Sequence, residues 1–300
     1  NIIVFLLWPL TLITKLIIFI KNIKRTYYPK VKTICVGNIY LGGTGKTQLV
    51  IKLNEILKKK FKVYVLRKNY KDQIDEQILL RKKTNLVISN KRVEGVKNLE
   101  NHKRNIVIFD DGLQDKDLNY NLKIVCFDAN NWIGNGQLIP AGPLREKLNS
   151  LKKYDIVFLK NHNSKTNEIK EIIKKQNPLI KIFQMSLNPE NMQNFDLRQK
   201  YLIFSGIGDP KNFKKILLDN NFKVIKEIIF PDHYDYQKDD IDKIRSEAEK
   251  LNASIVTTEK DFVKINKIDS KNNNFLKISL DFDKEVELVD FIKTRLNEKN

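Results

Sequence analysis

Between Cys35 and Val50 the chain reads CVGNIYLGGTGKTQLV, and this stretch restricts the fold more than any other. Val31–Val36 reads as a short buried strand. Thr47–Lys59 spaces Leu49, Val50, Leu53, Ile56 and Leu57 along one face of a helix. A strand that runs through glycines into a helix can cradle phosphate. Glycine lets backbone N–H groups close around phosphate oxygens without a Cβ in the way. The helix start adds the positive end of its dipole. Gly42, Gly43, Thr44, Gly45, Lys46 and Thr47 are therefore the candidate nucleotide-binding residues. Lys46 suits the β and γ phosphates, and the Thr47 hydroxyl suits Mg2+. The strict pattern has Gly at its first position, where Tyr40 stands here; the strand before and the helix after supply the context.

The pattern around this loop alternates strands and helices. Lys62–Leu66, Leu86–Ile88, Ile106–Phe109, Ile124–Phe127 and Ile156–Leu159 read as further strands. Such alternation implies a mostly parallel sheet covered on both faces. Asn188–Gln199 is polar, contains Pro189 and reads as a linker. Beyond it, strands at Tyr201–Phe204, Lys223–Ile229 and Ser254–Thr257 and helices near Pro210–Leu218 and Lys238–Asn252 form a second, smaller α/β unit.

Residues 2–20 hold 15 strongly apolar residues in 19, interrupted by Pro9, Thr11, Thr14 and Lys15. That is close to the roughly 20 residues needed to cross a bilayer. Lys15 and Pro9 suit a helix embedded at the interface instead, with Trp8 as an anchor. Lys21, Lys24, Arg25, Lys30 and Lys32 follow as a basic collar for anionic headgroups. No small-x-small cleavage pattern follows the run, and the chain begins at Asn1, as a truncated or processed form would. The expected organisation is a membrane-associated helix and collar over 1–28, a phosphate-loop core over 29–187, the linker over 188–199 and the smaller domain over 200–300.

The net charge of +19 attracts nucleic acid, anionic lipid and phosphorylated substrates alike. No zinc finger or aromatic-basic RNA motif accompanies it, which argues against a nucleic-acid partner. Two cysteines, Cys35 and Cys126, rule out a disulfide framework and a four-cysteine zinc site. Both lie in apolar runs and read as buried thiols. His102 and His162 lie in polar stretches that match no motif.

Ile106–Phe109 runs into Asp110-Asp111-Gly112-Leu113-Gln114. Paired carboxylates at the end of a buried strand are where a nucleotide enzyme holds Mg2+, although an Asp-Gly turn has the same appearance. Further on, Pro140-Ala141-Gly142-Pro143-Leu144-Arg145-Glu146 places an arginine suited to phosphate oxygens after a proline-stiffened loop.

These stretches resemble the tetraacyldisaccharide 4'-kinase family, which phosphorylates a lipid A precursor on bacterial inner membranes. The resemblance also takes in Phe204-Ser205-Gly206-Ile207-Gly208-Asp209-Pro210, Phe230-Pro231-Asp232-His233 and Thr257-Thr258-Glu259-Lys260-Asp261, in the family's order and across nearly the whole chain. It implies a P-loop NTPase-like α/β fold with a smaller C-terminal α/β domain and an N-terminal membrane-associated helix. It implies ATP with Mg2+, an acylated disaccharide 1-phosphate as acceptor, and residence at the cytoplasmic face of the inner membrane. It places Gln114 in the nucleotide-binding set, Glu146 with Thr47, Asp110 and Asp111 around Mg2+, and Arg145, Arg92 and Lys46 at the active site. Asp75 becomes the base that takes the sugar hydroxyl proton, with His233 as its partner, and Asp72 is the rival base. Leu66-Arg67-Lys68-Asn69-Tyr70 replaces the family's Ser-Arg-Gly-Tyr-type loop, the stretch between that loop and Asp75 is much shorter than the family usually shows, and Gln77 replaces a proline.

The alternative reading is a membrane-targeted GTPase, since Asn266-Lys267-Ile268-Asp269 matches the guanine-reading pattern. That reader should follow directly on a buried strand, and here it lies several residues beyond one. A chain rich in Asn, Lys, Ile and Asp produces such a match by chance.

Overall fold

The computed structural model describes residues 2–14, 16, 26–70, 73–101, 105–160, 163–266, 268 and 274–298. Helix α1 (Ile2–Leu7) passes into a 3-10 turn (Trp8–Leu10) that contains Pro9. Proline lacks the N–H that would continue the helix. The apolar segment expected as one helix carries this 3-10 turn and resumes as α-helix over 11–14, and no helix among the described residues is long and apolar enough to cross a membrane. Lys15, Lys21, Lys24 and Arg25 lie outside the described residues, as do Asp72, His102 and His162.

The chain then runs through β1 (Lys32–Gly37), α2 (Lys46–Leu57), β2 (Lys62–Lys68), α3 (Ile74–Lys83), β3 (Leu86–Ser89), α4 (Arg92–Lys97), β4 (Asn105–Asp110), β5 (Leu122–Asp128), β6 (Ile156–Lys160), α5 (Thr166–Gln176) and β7 (Lys181–Pro189). It continues as β8 (Lys200–Ser205), α6 (Pro210–Asp219), β9 (Lys223–Ile229), α7 (Lys238–Lys250), β10 (Ala253–Thr258), α8 (Glu259–Ile265), β11 (Asn274–Leu276), β12 (Ile278–Phe282) and α9 (Glu285–Glu298). The larger sheet has the order β12-β7-β6-β5-β1-β4-β2-β3 and the smaller one β11-β10-β8-β9. From β7 to β3 each neighbouring pair is parallel, as is each pair of the smaller sheet. This is the expected α/β class.

The chain divides into two compact units. The first comprises 1–69, 84–186 and 282–300; the second comprises 70–83 and 187–281. The expected blocks were consecutive, but these units are not. The crossover after β2 gives its helix α3 to the second unit, and the C-terminal helix α9 returns to the first. Asn188–Gln199 is not a loose linker either. β7 extends to Pro189, and Phe195 packs its ring 5.1 Å from that of Phe222. Asn191 Nδ2 donates to the Phe275 carbonyl at 2.9 Å, while Phe195 and Leu197 close against the smaller core.

In the first unit, β1 is central because both of its faces are covered: Ile34, Cys35 and Val36 are fully buried. In the second, alternate residues of β8 serve two cores. Tyr201 and Ile203 join Phe213, Leu217 and Phe222, while Leu202 and Phe204 join Tyr236, Ile241 and Ile244. A strand buried on both faces reads as a continuous apolar run.

β2 and β4 place Arg67 opposite Asp110, and the two side chains form a buried ion pair. Arg67→Met leaves a buried carboxylate without that cation, and about 3–5 kcal/mol of stability should be lost in urea unfolding. Burial also pushes the thiols of Cys35 and Cys126 up to about 12. Neither should react with iodoacetamide at pH 8 until urea unfolds the chain, as mass spectrometry would record.

Candidate active site

The candidate residues fall into two groups, one in each unit. In the first unit, β1 ends at Gly37 and the loop turns through Gly42 (φ 136°) and Gly45 (φ 81°) into α2. Both angles lie where a side chain is strained, which is why glycine stands there. Gly42 and Gly43 are exposed on the open side, and Thr44 is buried beneath. Asn38 Nδ2 donates to the Thr44 hydroxyl at 3.3 Å and holds the loop from inside. Tyr40 bridges antiparallel to Leu144, with Leu41 N–H donating to the Pro143 carbonyl at 2.9 Å. Position 40 is thus the loop's seam with the 140–146 segment, so the missing glycine does not disturb the cradle.

That seam brings the expected residues together. Arg145 N–H donates to the Ile39 carbonyl at 2.8 Å, and its Nη1 lies 3.0 and 3.2 Å from the two oxygens of Asp111. Asp111 follows β4 in a left-handed conformation (φ 54°), pinned by its N–H on the Val36 carbonyl at 2.9 Å. Lys46 Nζ is 4.0 Å from Asp111 Oδ1. Burial acts to raise the Asp111 pKa, but the Lys46 and Arg145 charges outweigh it, and the carboxyl lies below its ordinary value. Gln114 Nε2 donates to the Asn38 carbonyl at 2.9 Å and to Glu146 Oε1 at 3.1 Å. The other Glu146 oxygen accepts from Tyr154 at 3.1 Å.

Two expected residues sit differently. Asp110 is fully buried and its carboxylate is taken by Arg67, so Asp111 is the acid of the pair that offers oxygens on the loop side. Arg92, also buried, donates to the Asp111 carbonyl at 2.7 Å and pairs with Asp115 at 3.2 Å. It braces the backbone behind the acidic pair.

One participant escaped the sequence reading. Lys160, at the end of β6, is only 3% exposed. Its ammonium donates to the Gly43 carbonyl at 3.1 Å and pairs with Asp128, at the end of β5, at 3.2 Å. A lysine closing an apolar strand was the available signal.

The oxygen donors Thr47 and Asp111 are of the hard type that Mg2+ takes. Among the described residues no three His, Cys, Asp or Glu side chains cluster closely enough to hold a metal. Such donors suit an ion that takes its other ligands from nucleotide phosphates and water.

In the second unit, α3 carries Asp75, which is 2% exposed. His233, 158 residues away in sequence, sets Nδ1 at 3.0 and 3.1 Å from its two oxygens. His233 is held at φ 62° by its N–H on the Gly206 carbonyl at 3.2 Å. That carbonyl belongs to the Phe204–Pro210 motif, which thereby acquires a purpose. Asp261 supports the same turn: its carboxylate accepts from Gly206 N–H at 3.1 Å, Thr258 at 2.6 Å and Tyr236 at 3.1 Å. Lys260 and Lys264 also face Asp75, at 3.2 and 3.3 Å. Burial acts to raise the Asp75 pKa, but the His233 hydrogen bond and the two lysine charges prevail, and the carboxyl lies far below its ordinary value.

Comparison with known proteins finds relatives along nearly the whole chain. The family described as LpxK: Tetraacyldisaccharide-1-P 4'-kinase matches residues 3–297. A tetraacyldisaccharide 4'-kinase of Pelagibacter ubique (strain HTCC1062) is 44% identical over 297 residues, covering 99% of this chain and 94% of that protein. One from Rickettsia conorii is 34% identical, covering 100% of this chain and 96% of that protein. The crystal structure of the "apo" form of LpxK from Aquifex aeolicus in complex with ATP superposes with a TM-score of 0.71. It covers 97% of this chain and 98% of that one at 24% identity, a likeness of fold.

Replacing the buried pair together, Lys160→Met with Asp128→Asn, removes both charges and frees the Gly43 carbonyl. A charge-assisted hydrogen bond contributes about 1.5–3 kcal/mol. The Kd for a nucleoside triphosphate should rise roughly tenfold or more by calorimetry, with the fold retained.

Proposed function

The chain belongs to the tetraacyldisaccharide-1-P 4'-kinase family, and on that premise we propose how its two residue groups divide one phosphoryl transfer. The activity is ATP-dependent transfer of the γ-phosphoryl group to the 4'-hydroxyl of a tetraacyldisaccharide 1-phosphate, a step of lipid A biosynthesis. The observation that carries the division of roles is the Asp75–His233 pair, which sets a buried carboxylate against a histidine from the other end of the chain.

In this reading the amides of Gly42–Thr47 and the α2 start cradle the ATP phosphates, and Lys46 offsets the charge of the β and γ groups. Thr47 and Asp111 are the chain's donors to Mg2+, which when bound supplies further charge neutralisation. Arg145 holds Asp111 in place and presents its remaining donors to phosphate oxygens. Arg92, Asp110, Gln114 and Glu146 fix the backbone and side chains behind them. Asp75, aligned by His233, takes the proton of the 4'-hydroxyl. The hydroxyl oxygen forms its bond to the γ-phosphorus while the bond to ADP breaks. Positioning and electrostatic stabilisation do most of the work.

The acceptor is an acylated glycolipid, and the N-terminal segment suits its surroundings. Phe5, Trp8, Leu12, Ile13 and Leu16 are exposed apolar side chains. They form an interfacial anchor at the cytoplasmic face of the inner membrane, with the basic collar beside the headgroups. In the guanine-reading alternative, Lys267 and Asp269 lie outside the described residues, and the family match gives that alternative no support.

The test is transfer of labelled γ-phosphate from Mg-ATP to a tetraacyldisaccharide 1-phosphate in detergent micelles. The parent protein should transfer it, and Asp75→Ala should lower kcat by about 10²–10⁴. Full transfer by the folded Asp75→Ala protein would move the base elsewhere, with Asp72 next to be replaced.

A further inference from the structure

Helix α8 carries Lys260 and Lys264 four residues apart, which puts both on one helix face. Both ammonium groups point at the same oxygen of Asp75: Oδ2 is 3.2 Å from Lys260 and 3.3 Å from Lys264. The Glu76 backbone N–H donates to Oδ1 at 2.9 Å, and His233 Nδ1 spans both oxygens. A carboxylate offers about four lone-pair sites. Four donors therefore meet a group with room for four, and an incoming hydroxyl has to take the place of one.

The four are not equally replaceable. The Glu76 N–H belongs to the first turn of α3. His233 is pinned through its own backbone to Gly206. Lys264 also donates to the Tyr234 carbonyl at 2.8 Å. Lys260 instead has two further carboxylates in reach, Glu76 and Asp232, each at 3.4 Å. It can leave Oδ2 without losing its ionic partners.

We propose that Lys260 is the movable member of this shell: it aligns Asp75 before the acceptor binds, then yields its place on Oδ2 to the 4'-hydroxyl and shifts onto Glu76 and Asp232. The proposal rests on the reading of Asp75 as the base. Its consequence is a timed change in basicity. With both lysines in place the carboxylate is a poor proton acceptor, because two positive charges oppose a third. Departure of one restores part of its basicity as the hydroxyl arrives. Lys264 stays and keeps the carboxylate aligned. The groups facing Asp75 are His233, Lys260 and Lys264, with Glu76 and Asp232 beyond them. Lys260 is thus a positioning residue for the known transfer.

The test removes the landing carboxylates. In Glu76→Gln with Asp232→Asn, Lys260 has only Asp75 and holds it more tightly. The KM for the glycolipid should rise about tenfold while the KM for ATP stays within twofold. Adding Lys260→Met to that background removes the obstruction, and the glycolipid KM should return to within threefold of the parent. An unchanged glycolipid KM in the folded double variant overturns the proposal, and so does failure of Lys260→Met to restore it. If the double variant does not fold, each single replacement is read in the same way, with about a threefold rise expected. Asp75→Ala is assayed alongside: surviving transfer there removes the base assignment, whereas its loss leaves the KM pattern to decide on Lys260 alone.

Discussion

Parallel pairing of β1 with β4 and β5 is the constraint on which the nucleotide half of this protein depends. Parallel strands end on the same side, so whatever follows their carboxyl ends is delivered to one place. β1 delivers the glycine loop, β4 delivers Asp111, β5 delivers Asp128 and β6 delivers Lys160. Asp128 and Lys160 are the last residues of their strands and need no loop to reach the others. The hydrophobic burial of β1 on both faces fixes the register, and the register fixes the chemistry.

Burying so many ionisable groups is costly unless each is paired. The structure meets this with specific partners: Arg67 for Asp110, Lys160 for Asp128, Arg92 for Asp115 and the lysine pair for Asp75. Each pairing also has a positional effect. Arg67 commits Asp110 to the sheet and leaves Asp111 for the loop. Lys160 ties a glycine carbonyl to the strand ends. The shell around Asp75 is the extreme case, where four donors meet a single carboxylate.

Much of the first unit was legible because its signals are local. The periodicity of Leu49, Val50, Leu53 and Leu57 gave α2, and the apolar runs gave most of the parallel strands to within one or two residues. β7 was missed because its burial is mixed along Lys181–Pro189 and its end is polar. β11 has only three residues, and β12 buries a single one of its five, Leu280. Helix α9 carried a readable signal in Leu288, Ile292 and Leu296, four residues apart and all buried. Lys260 and Lys264 were equally visible as a pair on one helix face, but spacing alone does not say what that face meets.

The sequence by itself determined the phosphate loop, the parallel α/β class and the family, because glycine freedom, helical periodicity and ordered motifs are written in consecutive residues. The tertiary structure alone decided which carboxylate of Asp110 and Asp111 offers its oxygens, that Lys160 supports the loop, and that α3 leaves the first unit to place Asp75 beside His233. Those outcomes depend on charges meeting across 40 to 160 residues of chain, and the free energy of such a meeting is set by burial and by every other partner in reach, which no local stretch of residues contains.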